Sequence, residues 1–339
     1  MNAAFFPGSP NMQFSTSGFA ATVALAIAAV LPTQAAFAQP VEEVNYLLPA
    51  PPTLPAFGPW VLAQQRGYYA REKLKVNFIV GKGGVDVAKQ VGAGNAPIGG
   101  ALGDTPIIAR AQGIPVKAVA VIGARALHHL HVMDGLGINQ PADLMGKTIT
   151  VMSYQDTSYF VLLGILATAG LTKNDVDVQA AGPVGVWQQP ATGKAAAFAG
   201  PVDFAISARG AGGKVKTYAS DQYIKTMTQA IVASDEMIQK RPDLIQRLVR
   251  ATLAGLSDMM KDPKGAVGDF IAGSPSFKGR EAFIEEVFRA YNELTYQGPG
   301  TPGVIDADRL AAVQKFYVSQ GIVPKEVPVG ELYTNQFVR

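Results

Sequence analysis

The chain has 339 residues, 48% of them hydrophobic and 16% charged, with a net charge of +3 and no cysteine. That length suits two domains with real cores, and the composition excludes bulk disorder. The small net charge gives no support to nucleic-acid binding, and the missing cysteine rules out disulfides, thiol catalysis, Cys-ligated zinc and a lipidated cysteine.

Residues 1–38 carry no charged side chain. A short apolar run at 19–31 precedes Ala36, Phe37 and Ala38, a small-residue cleavage pattern. This reads as a secretory signal peptide cut after Ala38, although no Lys or Arg precedes the apolar run. A soluble, exported mature protein is expected.

The mature chain opens with a strand at 44–48, followed by a proline-rich run at 49–55 that forbids regular structure. A helical pattern at 60–69 leads to a strand at 74–80 and a glycine turn at 81–84 into a helix at 85–91. A short buried strand at 98–102 comes next. Asp104, Thr105 and Pro106 open another helix, closed by Gly113. Residues 116–122 form a nearly continuous apolar strand, as in a sheet covered on both faces. This alternation is the α/β signature. It resumes with a helical turn at 141–145, a strand at 147–151, and a helix at 157–169 stopped by Gly170. A strand at 176–179, a short helix at 184–189, a turn and strand at 200–207, and a strand at 230–233 follow. From Ser234 the chain is mainly helical, with Leu244, Ile245, Leu248, Val249, Leu253 and Leu256 on one face.

The glycine pieces at 81–84, 92–94 and 210–213 complete neither G-x-G-x-x-G nor a Walker A loop, so no nucleotide cofactor is implied. His128, His129 and His131 are the whole histidine complement. On a strand His129 and His131 share a face, yet a third fixed ligand is missing, so no metal is expected. No G-x-S-x-G or H-E-x-x-H set appears, so no catalytic residues are assigned. Ser153 to Tyr159 is the strongest functional segment: hydroxyls of Ser153 and Thr157, with free N–H groups at a helix start, suit an anionic group, while Asp156 or Thr157 also serves as a plain cap. Tyr154, Tyr159 and Trp187 offer flat faces for a ring. Asp86, Asp104, Asp156 and Asp203 suit an amino-bearing solute, and Arg125 an anion.

Residues Gly135 to Val151 read Gly-Leu-Gly-Ile-Asn-Gln-Pro-Ala-Asp-Leu-Met-Gly-Lys-Thr-Ile-Thr-Val. This segment resembles the Gly-Ile-x-x-Pro-Ala-Asp-Leu-x-Gly-Lys-x-Ile-x-Val stretch of periplasmic solute-binding proteins of ABC importers, in the nitrate/sulfonate/taurine and thiamine-precursor branch. The resemblance implies a type II periplasmic binding protein: two α/β lobes joined by two crossover segments, near 132–136 and 231–234. Lobe 1 would hold 39–133 and 234–339, and lobe 2 134–233. It implies capture of a small anionic organic or pyrimidine-like solute without chemistry, delivery to the membrane subunits of an ABC permease, and a monomer. The expected ligand set is Thr53, Gly83, Gly84, Asp86, Asp104, Arg125, Ser153, Tyr154, Asp156, Thr157, Tyr159, Trp187 and Asp203. The rival readings are a thiamine-pyrimidine-synthase-like enzyme, which in yeast carries a cysteine-rich motif this chain cannot have, and a periplasmic sensor.

Overall fold

The computed structural model describes residues 40–338 and the isolated Gln13; the signal-peptide segment with its Ala38 cut therefore lies outside the described residues. The chain builds two five-stranded sheets. The first comprises β1 (Glu42–Leu48), β2 (Leu74–Val80), β3 (Ile98–Leu102), β4 (Val116–Val121) and β10 (Gln229–Ser234), in the order β2-β1-β3-β10-β4. The second comprises β5 (His129–Met133), β6 (Thr148–Val151), β7 (Asp177–Ala180), β8 (Ala197–Gly200) and β9 (Val215–Tyr218), in the order β7-β6-β8-β5-β9.

The two sheets follow one plan. Each has three parallel strands on one side, β2-β1-β3 and β7-β6-β8. Each then takes an antiparallel strand that belongs to the other lobe in sequence: β10 pairs β3 and β4, and β5 pairs β8 and β9. The crossings are therefore residues 122–128 and 219–228, upstream of the 132–136 and 231–234 read from the sequence. In sequence, a strand and a crossing look alike when both are apolar and buried.

Continuous burial marks β3 and β10, every residue of each being buried, and β4 is buried at all but Lys117. Helices cover the sheets. Pro242–Lys261 turns Leu244, Ile245, Leu248, Val249 and Leu256 onto the Gly58–Gln65 helix and its Trp60, as its one-sided apolar pattern requires. Gly255 permits the approach, since a Cβ there would lie 2.2 Å from the Pro59 carbonyl oxygen. Residues 200–207 are not a turn and strand. Pro201 ends β8, and Val202–Gly210 is a helix with Val202, Phe204, Ala205 and Ile206 buried. Apolar residues on several faces imitate strand alternation when a helix is covered nearly all round. The C-terminal helix Ala307–Ser319 contributes Leu310, Val313 and Tyr317 to a cluster containing Leu162 and Ile165 of the second lobe. The segment after residue 234 is thus not confined to the first lobe.

Candidate functional site

The parallel strands of both lobes end at one gap. Pro49 follows β1, Leu102 closes β3, Met152 follows β6 and Pro201 follows β8, and all four line a shared cleft. Carboxyl ends of strands are where α/β sheets ordinarily receive ligands. The walls are apolar: Leu54 and Phe57 from the first lobe, Met152 and Phe204 from the second, and Leu127 from the crossing between them. The lobes stand close here and leave about 50 Å³ of free space between these walls, so a larger occupant requires them to part.

Helix starts supply the polar floor. Gly84 begins the Gly84–Gly92 helix, and Thr157 begins the Thr157–Ala167 helix. Asp156 caps the latter: its carboxylate accepts from the Ser158 N–H at 2.9 Å, which offsets the positive end of the helix. Thr157 Oγ1 lies 3.2 Å from His128 Nε2, and Asp156 Oδ1 lies 3.9 Å from the same nitrogen. The His128 carbonyl accepts from the Ser220 hydroxyl, tying the two crossings together. Burial holds the His128 pKa below the ordinary histidine value, against the opposing pull of Asp156, so the ring is neutral near pH 7. Three side-chain atoms of the lining residues are buried and unpartnered: His128 Nδ1, Ser158 Oγ and Gln229 Oε1. No lysine or arginine occurs among the described residues that line the cleft.

Across the gap the lobes touch. Ser153 Oγ donates to the Lys82 carbonyl at 3.3 Å, and the Val85 N–H donates to the Gln155 carbonyl at 3.2 Å. Gly83 has φ +110°, and a Cβ there would lie 2.6 Å from the Gln155 carbonyl oxygen. Its side is therefore open only because it lacks a side chain.

Of the expected ligand set, the structure brings Gly84, Asp156 and Thr157 into the lining, with Gly83 and Ser153 at its interlobe edge. The others stand elsewhere. Thr53 is exposed on the proline-rich loop. Asp86 accepts from the Lys82 N–H at 2.9 Å, a turn contact. Arg125 is exposed and donates to the Glu293 carbonyl at 3.3 Å. Tyr154 is 53% exposed, and its hydroxyl donates to the Val178 carbonyl at 2.9 Å; its ring meets Tyr159 edge-on at 5.4 Å. Trp187 packs against the satellite cluster of Val186, Phe198 and Phe204, behind the wall rather than on it.

Asp104 and Asp203 are buried and structural. Each follows the third parallel strand of its sheet and accepts a tyrosine hydroxyl: Tyr317 to Asp104 at 3.2 Å, Tyr291 to Asp203 at 2.6 Å. Burial raises both carboxyls to about 6. The histidine pair is likewise structural. His131 uses both ring nitrogens, on Thr217 Oγ1 and the Gly200 carbonyl, each at 3.0 Å, and burial lowers it to about 3. His129 is lowered to about 4, chiefly by burial, and its Nδ1 accepts from the Ser220 N–H at 3.4 Å. His128, Gln229, Phe57 and Phe204 were missed as site residues. For His128 the available signal was its place between a buried strand and the next, a crossing that must pass the cleft.

A family model described as "NMT1/THI5 like" matches residues 54–266. The chain belongs to that family. A riboflavin-binding protein of Chloroflexus aurantiacus is 27% identical over 297 residues, covering 83% of this chain and 82% of that one. A 4-amino-5-hydroxymethyl-2-methylpyrimidine phosphate synthase of Schizosaccharomyces pombe is 26% identical over 229 residues, 63% of this chain and 64% of that one. Among solved structures, an alkanesulfonate-binding protein from Xanthomonas axonopodis pv. citri, bound to MOPS, superposes with a TM-score of 0.67 at 19% identity, covering 88% of this chain and 99% of that one. The fold is thus that of the two-lobed periplasmic binding proteins, as the strand plan shows independently.

Proposed function

We propose that this chain is an extracytoplasmic solute receptor for a heteroaromatic compound, which it carries to an ABC permease as a monomer without altering it. The observation that carries the choice of solute is the cleft wall: Phe57, Phe204, Leu54 and Met152 surround a floor holding a carboxylate and a neutral imidazole, with no cation among the described lining residues. A sulfonate or nitrate buried there would meet Asp156 with no countercharge, and an unpaired buried charge is strongly unfavourable. Asp156 already occupies the helix start that an anion would use. A flat, uncharged ring with polar edges fits aromatic walls and unpaired polar atoms. The printed names of the two sequence relatives, one binding a flavin and one making a pyrimidine phosphate, support a heteroaromatic over a small anion.

In this reading Gly84, Asp156, Thr157, His128, Phe57 and Phe204 contact the solute. The first lobe holds β1–β4 with β10, and the second holds β5–β9. The leader is removed after Ala38, which an intact mass of the periplasmic protein tests. The function is tested by a thermal-shift screen followed by calorimetry, because a ligand that binds the native state alone raises its melting temperature. Riboflavin or a pyrimidine should give a saturable shift, and alkanesulfonates and nitrate none. A sulfonate binding more tightly than every ring compound overturns the reading. Recovery of the bound compound unchanged after long incubation separates receptor from enzyme.

A further inference from the structure

We propose that His128, Gln229 and Ser158 determine specificity, selecting ring solutes that present hydrogen-bond donors to the cleft. The proposal rests on the heteroaromatic reading and goes beyond it by assigning polarity to the cleft. The three side chains are 6%, 4% and 1% exposed, and each keeps a buried polar atom without a partner. An unpaired buried polar atom is destabilising, and native proteins hold few of them. Three lining one cleft mark places where a ligand supplies the missing partners.

Their chemistry follows from their neighbours. His128 Nε2 faces Thr157 Oγ1 at 3.2 Å and Asp156 Oδ1 at 3.9 Å. The nearby carboxylate favours the tautomer with its proton on that nitrogen. Nδ1 is then left with a bare lone pair, an acceptor. Gln229 Oε1 is a second acceptor, and Ser158 Oγ can give or take a proton. The unpaired polar atoms among the lining residues are therefore mainly acceptors, so a solute that satisfies them must donate. Gln229 stands at the start of β10 in the first sheet, Ser158 belongs to the second lobe, and His128 lies on the crossing between them. A solute bonded to all three spans the gap, so recognition of its donors and closure of the lobes become one event.

The test compares 4-aminopyrimidine with its near-isostere 4-methylpyrimidine at about pH 8, where both are neutral. The amino group carries two N–H donors, and the methyl group carries none. Dissociation constants come from ligand-observed NMR on the full protein, with riboflavin as a second ring probe. The wild type should prefer the amino compound by roughly 10–100-fold, the usual penalty when buried acceptors lose their donors. His128→Leu and Gln229→Leu should each cut that preference severalfold without lowering the ligand-free melting temperature. His128→Asn, which keeps an acceptor near the Nδ1 position, should retain it. Equal affinity of the wild type for the two pyrimidines, with riboflavin or either pyrimidine still bound, overturns this inference and leaves the heteroaromatic receptor standing. Preference retained in both leucine variants overturns the residue assignment. Binding of alkanesulfonates with no binding of any ring compound overturns both readings.

Discussion

Replacing Asp203 by asparagine isolates the energetic consequence of burying a carboxyl group between the lobes. Asp203 is 2% exposed, sits at the start of the Val202–Gly210 helix, and accepts the Tyr291 hydroxyl at 2.6 Å. Burial, opposed by that bond and by backbone N–H groups, raises its pKa from 3.8 to about 6. Between those values the folded protein holds a proton that the unfolded chain releases. Folding stability therefore falls as pH climbs through this window, and the loss is complete above about 6. A gap of about two pH units corresponds to ~3 kcal/mol at neutral pH. Asparagine keeps the oxygen that Tyr291 needs and cannot ionise. Asp203→Asn should thus stabilise the protein at pH 7.5 by up to about 3 kcal/mol, and by close to nothing at pH 4. Urea unfolding followed through the buried Trp60 at both pH values measures the difference. His129, His131 and Asp104 titrate alike in both proteins and cancel. A variant less stable than wild type at pH 7.5, or a difference independent of pH, would refute the reasoning.

Further predictions concern the cleft and its surroundings. Gly83→Ala places a Cβ 2.6 Å from the Gln155 carbonyl oxygen, at a backbone φ of +110° that costs about 1–3 kcal/mol for a side-chain-bearing residue. It should weaken solute binding more than tenfold and enlarge the radius of gyration in scattering, whereas Gly94→Ala, with open space around its φ of +79°, should lower stability alone. Phe57→Ala and Phe204→Ala should weaken binding of a ring solute by about 1–3 kcal/mol in calorimetry. Trp187→Ala should reduce melting temperature and leave affinity within about twofold, since Trp187 packs behind the wall. Buried His131, lowered to about 3, adds stability that is complete above its ordinary value of 6.5 and is lost as pH falls toward about 3. His131→Gln should make the acid decline in melting temperature shallower over that range.

The strands at 74–80 and 116–121 were legible from their branched residues, the latter as the nearly continuous apolar run that a covered sheet demands. Ala197–Gly200 was not, because alanine and glycine carry no period and fit any buried segment. The cap at Asp156 was legible from local chemistry, which needs only neighbours in sequence. His128 and Gln229 were not, since one lies on a crossing and the other opens β10, and they meet at the cleft only through tertiary pairing. The aromatic residues misled for a related reason. Tyr154 and Trp187 stand near the right loops, but helix and strand directions turn one to the surface and the other into a satellite cluster.

The placement of β10 between β3 and β4 has a consequence for how the polypeptide matures. Until residue 234 is available, β3 and β4 have no common neighbour, and both present unpaired backbone edges. The second sheet carries no such debt to the C-terminus: every one of its strands lies between 129 and 218. It can assemble as a contiguous unit while the first waits for a distant segment to close a long loop. Long-range pairing of this kind is slow and leaves sticky edges exposed. Refolding should therefore show an early phase from the second sheet and a late one from insertion of β10, with aggregation most severe between the two.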